Sequence, residues 1–314
     1  MGRMKIGAVV RLAEDLGPGD VADGRCPPYT AIRDTALRVE DAGFDVLWLA
    51  DHLLYRRPSQ PTMGIWECWS MLSALAEATQ RIELGTSTLC ITFRHPAVLA
   101  KMAATVDEIS GGRLILGLGA GWNEPEHRAF GLPFDRRVSR FEEALQIIVP
   151  MLREGRVDFE GEFYSARDCE VAPRGPRAAG PPLLIGAAQP RMLRLAARYA
   201  DIWNAPEYLG ARPRFEPLLR AFEAARSTAG DAAGRQVQTS VILKIGWPDL
   251  GALPGFFGDD YLTGSAEEIA LAWRDYATAG VGHVLCQYHP NTSATLERLV
   301  AALHAYRKIE RAAR

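Results

Sequence analysis

The sequence is poor in the features that mark several large classes of protein. Cysteine is scarce: five in 314 residues (Cys26, Cys68, Cys90, Cys169 and Cys286), an odd number with no CxxC spacing. That argues against a disulfide framework and against a structural zinc site. Charge of either sign is not in excess, with 36 Lys and Arg against 38 Asp and Glu for a net charge of −2. Without a basic surplus or a polybasic run, neither nucleic acid nor a membrane surface is an expected partner. No apolar run approaches the roughly 18 residues of a membrane-spanning helix. The chain passes almost at once into the strand-like Met4–Val10 with no signal peptide before it, which predicts a cytoplasmic, reduced protein. No Gly-Lys-Ser/Thr occurs, so there is no P-loop.

What is present is an alternation. Short apolar runs at Ile6–Val10, Val46–Ala50, Ile82–Ile91, Arg113–Leu118, Pro182–Ile185, Asp201–Asn204, Val237–Ile245 and His283–Tyr288 are each followed by a helical pattern. The clearest helix carries Phe141, Ala144, Leu145, Ile148, Met151 and Leu152 on one face, and the last carries Leu296, Leu299, Val300, Leu303 and Tyr306. Pro96 reads as a first-turn proline, and Ser265 with Glu268 as a capping box. Eight strand–helix units predict an α/β fold, a single (β/α)8 TIM barrel spanning 1–314. A doubly wound sheet is the competing layout, but it needs fewer units or a second domain, and no interdomain linker is visible. The segment "VDFEGEFY" alternates around Gly161 like a hairpin, which gives the barrel a small insertion after the fourth helix.

The stretch "LGLGAGWNEPEHRAFG" (116–131) poses the main chemical question. Gly117, Gly119 and Gly121 could cradle a dinucleotide phosphate, let a flat ring approach the backbone, or form a tight turn with no ligand. The Rossmann fingerprint belongs in the first strand–helix turn with G-x-G-x-x-G spacing and a strand-ending acid downstream. Here the cluster follows the fourth strand, has GxGxG spacing and lacks that acid. In a barrel, active sites sit at the C-terminal ends of strands. Such ends carry Asp51-His52, Cys90-Ile91-Thr92, Gly119 to Asn123, and Gly186-Ala187-Ala188-Gln189, which should face one mouth.

These residues, in "EDAGFDVLWLADH" (40–52), in the segment 79–131 and in "PPLLIGAAQPRMLRLAARYADIWN" (181–204), resemble the bacterial-luciferase-like superfamily of flavin- and coenzyme F420-dependent oxidoreductases. The resemblance covers nearly the whole chain. It implies a non-prolyl cis peptide at Cys90–Ile91 that backs the central ring of the cofactor. It implies that Gly119, Ala120 and Gly121 admit that ring, and that Asn123 bonds the ribityl or pyrimidine part. The cofactor phosphate is implied at Gly186, Ala187 and Ala188, with Arg191 nearby, although two alanines stand where the family carries more glycine. His52 is implied as a proton-transfer or substrate-contact residue, beside Asp51 as its orienting neighbour.

Two positions depart from the deazaflavin-dependent alcohol and sugar-phosphate dehydrogenases that the resemblance brings in. Arg56 replaces a tryptophan four residues after the histidine, and Trp122 replaces a glutamate after the glycine loop, so reduction of an activated substrate or monooxygenation is expected ahead of simple alcohol oxidation. Trp66, Glu67 and Trp69 are candidates for shaping the substrate pocket, with helix packing as the alternative. Glu124, Glu126 and His127 form no metal-ligand pattern and read as loop charges, so no metal is expected. The resemblance implies coenzyme F420 as cofactor, with reduced FMN as the alternative in a monooxygenase, or a non-catalytic flavin-binding barrel. It also implies a small-molecule substrate, a homodimer, and a separate flavin or F420 reductase as partner.

Overall fold

Each predicted apolar run becomes a strand except the third, which is split into two, and these strands run parallel around a closed ring. The computed structural model describes residues 3–14, 25–57, 60–209, 215–228, 235–255, 258 and 260–312; for 206–209 it describes the backbone alone. In chain order the elements are β1 (Lys5–Val9), α1 (Tyr29–Asp41), β2 (Val46–Leu49), α2 (Cys68–Ala78), β3 (Glu83–Thr86), β4 (Leu89–Cys90), α3 (Pro96–Ile109) and β5 (Leu114–Gly119). Then follow α4 (Glu124–Ala129), α5 (Arg137–Arg153), β6 (Arg156–Glu160), β7 (Ser165–Glu170), β8 (Leu183–Gly186), α6 (Pro190–Tyr199) and β9 (Ile202–Leu209). The chain continues with α7 (Phe215–Ser227), β10 (Gln238–Gly246), α8 (Ala266–Thr278), β11 (Val281–His289) and α9 (Ser293–Ala312).

Strand order is β3-β2-β1-β11-β10-β9-β8-β5-β4, and pairing of β3 with β5 (Leu84 with Leu114, Gly85 with Ile115) closes the barrel. Counting β3 and β4 as one interrupted staff, this is an eight-stranded α/β barrel. The hairpin β6–β7 is the insertion predicted after the helix of the fourth unit, and it is antiparallel. Glu143 of α5 pins its turn by accepting from the backbone N–H groups of Glu162, Phe163 and Tyr164. The local signals act as their chemistry requires. Pro96 opens α3, and Ser265 and Glu268 cap α8 reciprocally. The predicted faces of α5 and α9 are buried in the outer core, Val300 only partly.

The barrel interior is a separate apolar cluster: Val46, Trp48, Ile115, Leu184, Ile202, Ile242 and Leu285. It is a packed core and not a pore, as side-chain layers in such barrels require. Trp48 is its largest member and is fully buried. Its indole fits only because both flanking strands carry glycine. A Cβ at Gly7 would lie 2.3 Å from the indole nitrogen, and one at Gly85 2.2 Å from the ring. No described helix is long and apolar enough to cross a membrane.

Candidate active site

The strand ends singled out in the sequence line one cavity of about 350 Å³ at the C-terminal mouth. Its wall is built by Asp51 and His52 after β2, Ser87, Thr88 and Cys90 around β4, Gly119 to Trp122 after β5, and Gly186 to Gln189 after β8. Ala50, Glu126 of α4, Met192 of α6, Asn204 of β9 and Ile242 of β10 complete it.

The third staff of the barrel differs from its sequence reading. Ile82–Ile91 reads as one strand, but β3 stops at Thr86, and the two-residue β4 pairs with β5 alone (Leu89 with Leu118, Cys90 with Gly119). Between them lies a bulge whose Ser87–Thr88 bond is the non-prolyl cis peptide. The implied position at Cys90–Ile91 is therefore corrected by three residues. Cys90 and Ile91 lie past the bulge. Ile91 begins a short 3-10 turn and is fully buried in the core behind the mouth, whereas Thr88 and Cys90 face the cavity.

The glycine run is the counterpart of that bulge. A Cβ at Gly117 would meet the Thr86 carbonyl oxygen at 1.7 Å, one at Gly119 the Thr88 hydroxyl at 2.4 Å, and one at Gly121 the Cys90 sulfur at 2.5 Å. Gly121 also has φ of +79°, a conformation that favours glycine. The alternate spacing thus arises because one side of β5 touches the protein's own bulged strand. Backbone of Gly119 to Gly121 still forms cavity wall.

Asp51 is committed to the scaffold. Its buried carboxylate accepts from the Cys90 N–H at 2.9 Å and takes Arg94 in a two-pronged pair at 2.8 and 3.0 Å. Arg94 reaches on to Glu67, which itself caps α2 through Trp69 N and Ser70 N. Trp69 is buried beside that cap, and the Trp66 indole donates to the Pro27 carbonyl. Of this trio none lines the cavity: Glu67 and Trp69 belong to the start of α2, whereas Trp66 is exposed and tied to Pro27.

The partner of His52 is Glu126, not Asp51. His52 Nδ1 lies 3.0 Å from Oε1 of Glu126, and the Leu53 N–H donates to Oε2 at 2.9 Å. Glu126 is almost wholly buried at the start of α4, so two donors hold a desolvated carboxylate in place. In the neutral ring with Nδ1 donating to Glu126, the other ring nitrogen carries the lone pair. The ring lines the cavity between Tyr55, centroids 4.4 Å apart, and Trp122, 5.4 Å away edge-on. Arg56, the first departure, instead donates to the Thr62 hydroxyl at 3.3 Å.

His127, also taken for a loop charge, is fully buried. Its Nδ1 is 3.0 Å from the Asn123 carbonyl, and its Nε2 is 2.8 Å from the Thr92 hydroxyl. If Nδ1 donates to that carbonyl, Nε2 accepts from Thr92, whose oxygen lies 3.2 Å from the Cys90 sulfur. This chain ties α4 to the bulge. Burial pushes the Cys90 thiol up to about 12, so it stays protonated and is no nucleophile at neutral pH. Glu126 and His127 went unrecognised because nothing in their spacing reports burial. Asn123-Glu124-Pro125 is a helix-start signal that places them in a first turn.

The remaining candidates divide. Gly186, Ala187, Ala188 and Ala120 line the cavity. The Asn123 side chain turns away from its expected ligand-contact role and donates to the Leu54 carbonyl at 2.9 Å, holding the loop after β2. Arg191 projects outward onto Glu142 at 2.6 Å and Ser139 at 3.1 Å. Helix α6 begins beside the cavity without a side-chain cap, so N–H groups of its first turn lack intrahelical acceptors. Asn204, missed in the sequence, is buried at the cavity and held by the Ser240 hydroxyl at 2.8 Å. Among the described residues, no group of three or more His, Cys, Asp or Glu could hold a metal ion.

With this geometry in place, comparisons with known proteins identify the family. Residues 4–245 match the family described as luciferase-like monooxygenase, and the chain belongs to it. An F420-dependent glucose-6-phosphate dehydrogenase of Kineococcus radiotolerans is 30% identical over 244 residues, 76% of this chain and 66% of that protein. The pyrimidine monooxygenase RutA of Yersinia enterocolitica is 33% identical over 214 residues, 66% of this chain and 56% of that protein. The chain thus spans less than two thirds of the length of both relatives. A solved F420-dependent secondary alcohol dehydrogenase in complex with an F420–acetone adduct shares the fold, with TM-score 0.77 over 97% of this chain and 99% of that one at 19% identity.

Proposed function

We propose that this member of the luciferase-like family is an oxidoreductase that seats coenzyme F420 in the main cavity and exchanges a hydride between it and a small organic substrate. The observation that carries the reading is the His52–Glu126 pair at the cavity wall. Oxidising an alcohol, or reducing the product back, requires a group that takes or returns a proton beside the reacting carbon. A histidine with one nitrogen fixed by a buried carboxylate is built for that exchange. The dehydrogenase and the adduct-bound alcohol dehydrogenase among its relatives support the same assignment.

The cavity fits the cofactor. Its volume of about 350 Å³ lies in the range of small-molecule sites. Gly119 to Gly121 line it without bulky side chains, and the uncapped start of α6 after Gly186-Ala187-Ala188-Gln189 offers N–H groups to a phosphate. Bound there, the deazaflavin would supply a two-electron hydride donor or acceptor. The chain's part is to hold the ring against the Thr88 and Cys90 wall, to exclude water with the filled barrel below, and to move the proton at His52. Tyr55 gives His52 an aromatic neighbour although Arg56 stands at the family's tryptophan position, and Glu126 supplies a carboxylate where Trp122 has displaced the usual one.

A second reading, a reduced-FMN monooxygenase served by a separate reductase, is favoured by the 33% identity to pyrimidine monooxygenase. Assembly as a homodimer belongs to either reading. Side-by-side titration of the purified chain with F420 and with FMN, oxidised and reduced, separates them. The first reading expects F420 to bind more tightly by at least about tenfold, or 1.4 kcal/mol. Tighter FMN binding, with substrate-dependent oxygen uptake, would establish the second.

A further inference from the structure

Asn204 holds a hydrogen-bond donor that the chain itself leaves unused. Ile202 belongs to the apolar cluster that fills the barrel, and Asn204 follows two residues later on the same face of β9. It therefore stands one step above that filling, at the floor of the main cavity. Its partners on the neighbouring strands are Gly186 and Ser240. The Ser240 hydroxyl donates to Oδ1 at 2.8 Å and fixes the amide plane. That leaves Nδ2, for which no described residue provides an acceptor. This nitrogen is not shut in as the Trp48 indole nitrogen is: it keeps accessible surface, although the residue as a whole is only 2% exposed, and the residue lines the cavity. A polar atom so nearly buried costs free energy that an acceptor on a bound molecule recovers.

The surroundings select the acceptor. The charged side chains of the cavity wall are spent elsewhere, since those of Asp51 and Glu126 expose 0% and 2% of their surface. A phosphate at the floor would be desolvated against one neutral donor, a cost that no counter-charge there offsets. A neutral oxygen escapes that cost. Position around the barrel narrows the choice further. β9 stands across the ring of strands from β2, which leads to His52. The reacting end of a bound cofactor belongs beside His52, so Asn204 meets the far end. β9 also builds the turn before α6. The Ala187 N–H donates to the Asn204 carbonyl at 3.1 Å, and the Trp203 indole N–H to the Ala187 carbonyl at 2.8 Å. A chain running from the ring to a phosphate at that turn passes Asn204.

From this we infer that Asn204 is a cofactor-binding residue whose Nδ2 donates to a hydroxyl oxygen of the ribityl chain between ring and phosphate. Ser240 is its positioning residue. Asn204 thus takes the contact for which Asn123, turned to the Leu54 carbonyl, is spent. The inference rests on the reading of the main cavity as the redox site.

The test titrates the purified chain with F420 and with FMN, each alongside its form without the phosphate and its ring without the chain. Asn204→Leu should weaken the intact and the dephosphorylated forms by the same factor, about 3- to 10-fold, the effect of one hydrogen bond. It should leave the bare ring unchanged. Asn204→Asp keeps an acceptor for Ser240 but turns a second oxygen to the ligand, so it should weaken binding at least as much as leucine does. Ser240→Ala should give a smaller loss of the same pattern. On the wild type, the side-chain amide proton signals of Asn204 should move downfield when the intact cofactor binds, a readout that needs no binding by a variant.

Unchanged affinities in Asn204→Leu, or amide signals that do not move downfield at saturation, overturn the inference. A loss as large for the bare ring, or one confined to the phosphorylated form, does so too, because the contact then lies on the ring or the phosphate. An Asn204→Asp variant that binds as tightly as the wild type would show an oxygen facing the cavity, with the same result. A wild-type chain that binds neither cofactor overturns the redox reading itself, whereas wild-type binding with an unaffected Asn204→Leu overturns the role of Asn204 alone.

Discussion

Glu126 holds His52 at the cavity wall: its carboxylate lies 3.0 Å from Nδ1 and is itself fixed by the Leu53 N–H at 2.9 Å. The histidine therefore presents one defined nitrogen to whatever occupies the cavity. His52→Asn should lower turnover by about 10²–10⁴-fold with cofactor affinity nearly unchanged. Glu126→Gln should lower it less, by about 10-fold or more, because the ring is still held but the imidazolium loses its counter-charge. Turnover rates and cofactor dissociation constants measured on both variants check this. Loss of affinity with unchanged turnover would make His52 a cofactor contact.

Arg94 and Asp51 form a buried pair that fastens α2, the β3–β4 bulge and the end of β2 together. Arg94→Ala should cost about 3–5 kcal/mol, since it leaves a carboxylate with no exposed side-chain surface and without its counter-charge. Urea denaturation gives the value directly. A loss below about 1 kcal/mol, the range of exposed ion pairs, would mean that Asp51 is solvated in solution.

The Trp48 plug predicts a coupled pair. Gly85→Ala places a methyl group 2.2 Å from the indole and should destabilise by about 1–3 kcal/mol or more. In a Trp48→Leu background the same change should cost much less, giving a coupling energy of about 0.5–3 kcal/mol in a double-mutant cycle. Additive effects would place the indole elsewhere.

Two buried histidines weaken the fold as pH falls. His283 is pushed down to about 3, by burial and then by Lys5, and His289 to about 4. Their folded values lie below the unfolded value near 6.5. The stability they contribute is complete above about pH 6.5 and declines as pH falls towards 4, because there the unfolded chain binds protons that the folded chain does not. Each group adds a slope of up to about 1.4 kcal/mol per pH unit in that window. His283→Gln should remove one proton's worth of that slope in urea titrations run from pH 7 to pH 4.

Cys90 should be inert to thiol reagents in the folded protein. Raised to about 12, it holds roughly one part in 10⁴ as thiolate at pH 8. Mass-spectrometric mapping of iodoacetamide adducts should find Cys90 modified only after unfolding. Labelling as fast as that of partly exposed Cys26 or Cys169 would show that the cluster of Cys90, Thr92 and His127 opens.

The barrel was readable because each unit repeats one simple pattern, an apolar run and then a helical face, and because caps such as Ser265–Glu268 and Pro96 mark the joins. The interruption of the third strand was not, although "IELGTSTLCI" is longer than the usual strand of about 5–6 residues and small and polar at its middle. The cavity walls followed from barrel geometry, which gathers strand ends wherever they lie in the chain. Side-chain directions did not follow. Arg191 at a helix start, Asn123 beside a glycine loop and Asp51 before a histidine are equally consistent with facing a ligand or the scaffold. Only packing separates them, and it turned all three to the scaffold. Glu126 was misjudged for the converse reason: a charged residue reads as solvated unless its buried partner is known.

The fit between the bulge and the glycine run also constrains how this protein can change. Thr86, Thr88 and Cys90 fill the spaces that Gly117, Gly119 and Gly121 leave open, atom against atom. Neither segment can be exchanged alone without a collision or a gap. A lineage or a laboratory seeking a differently shaped cofactor wall must therefore move residues 86–90 and 117–121 as one cassette, although they lie far apart in sequence. Recombination with a crossover between the two segments should mostly yield chains that do not fold.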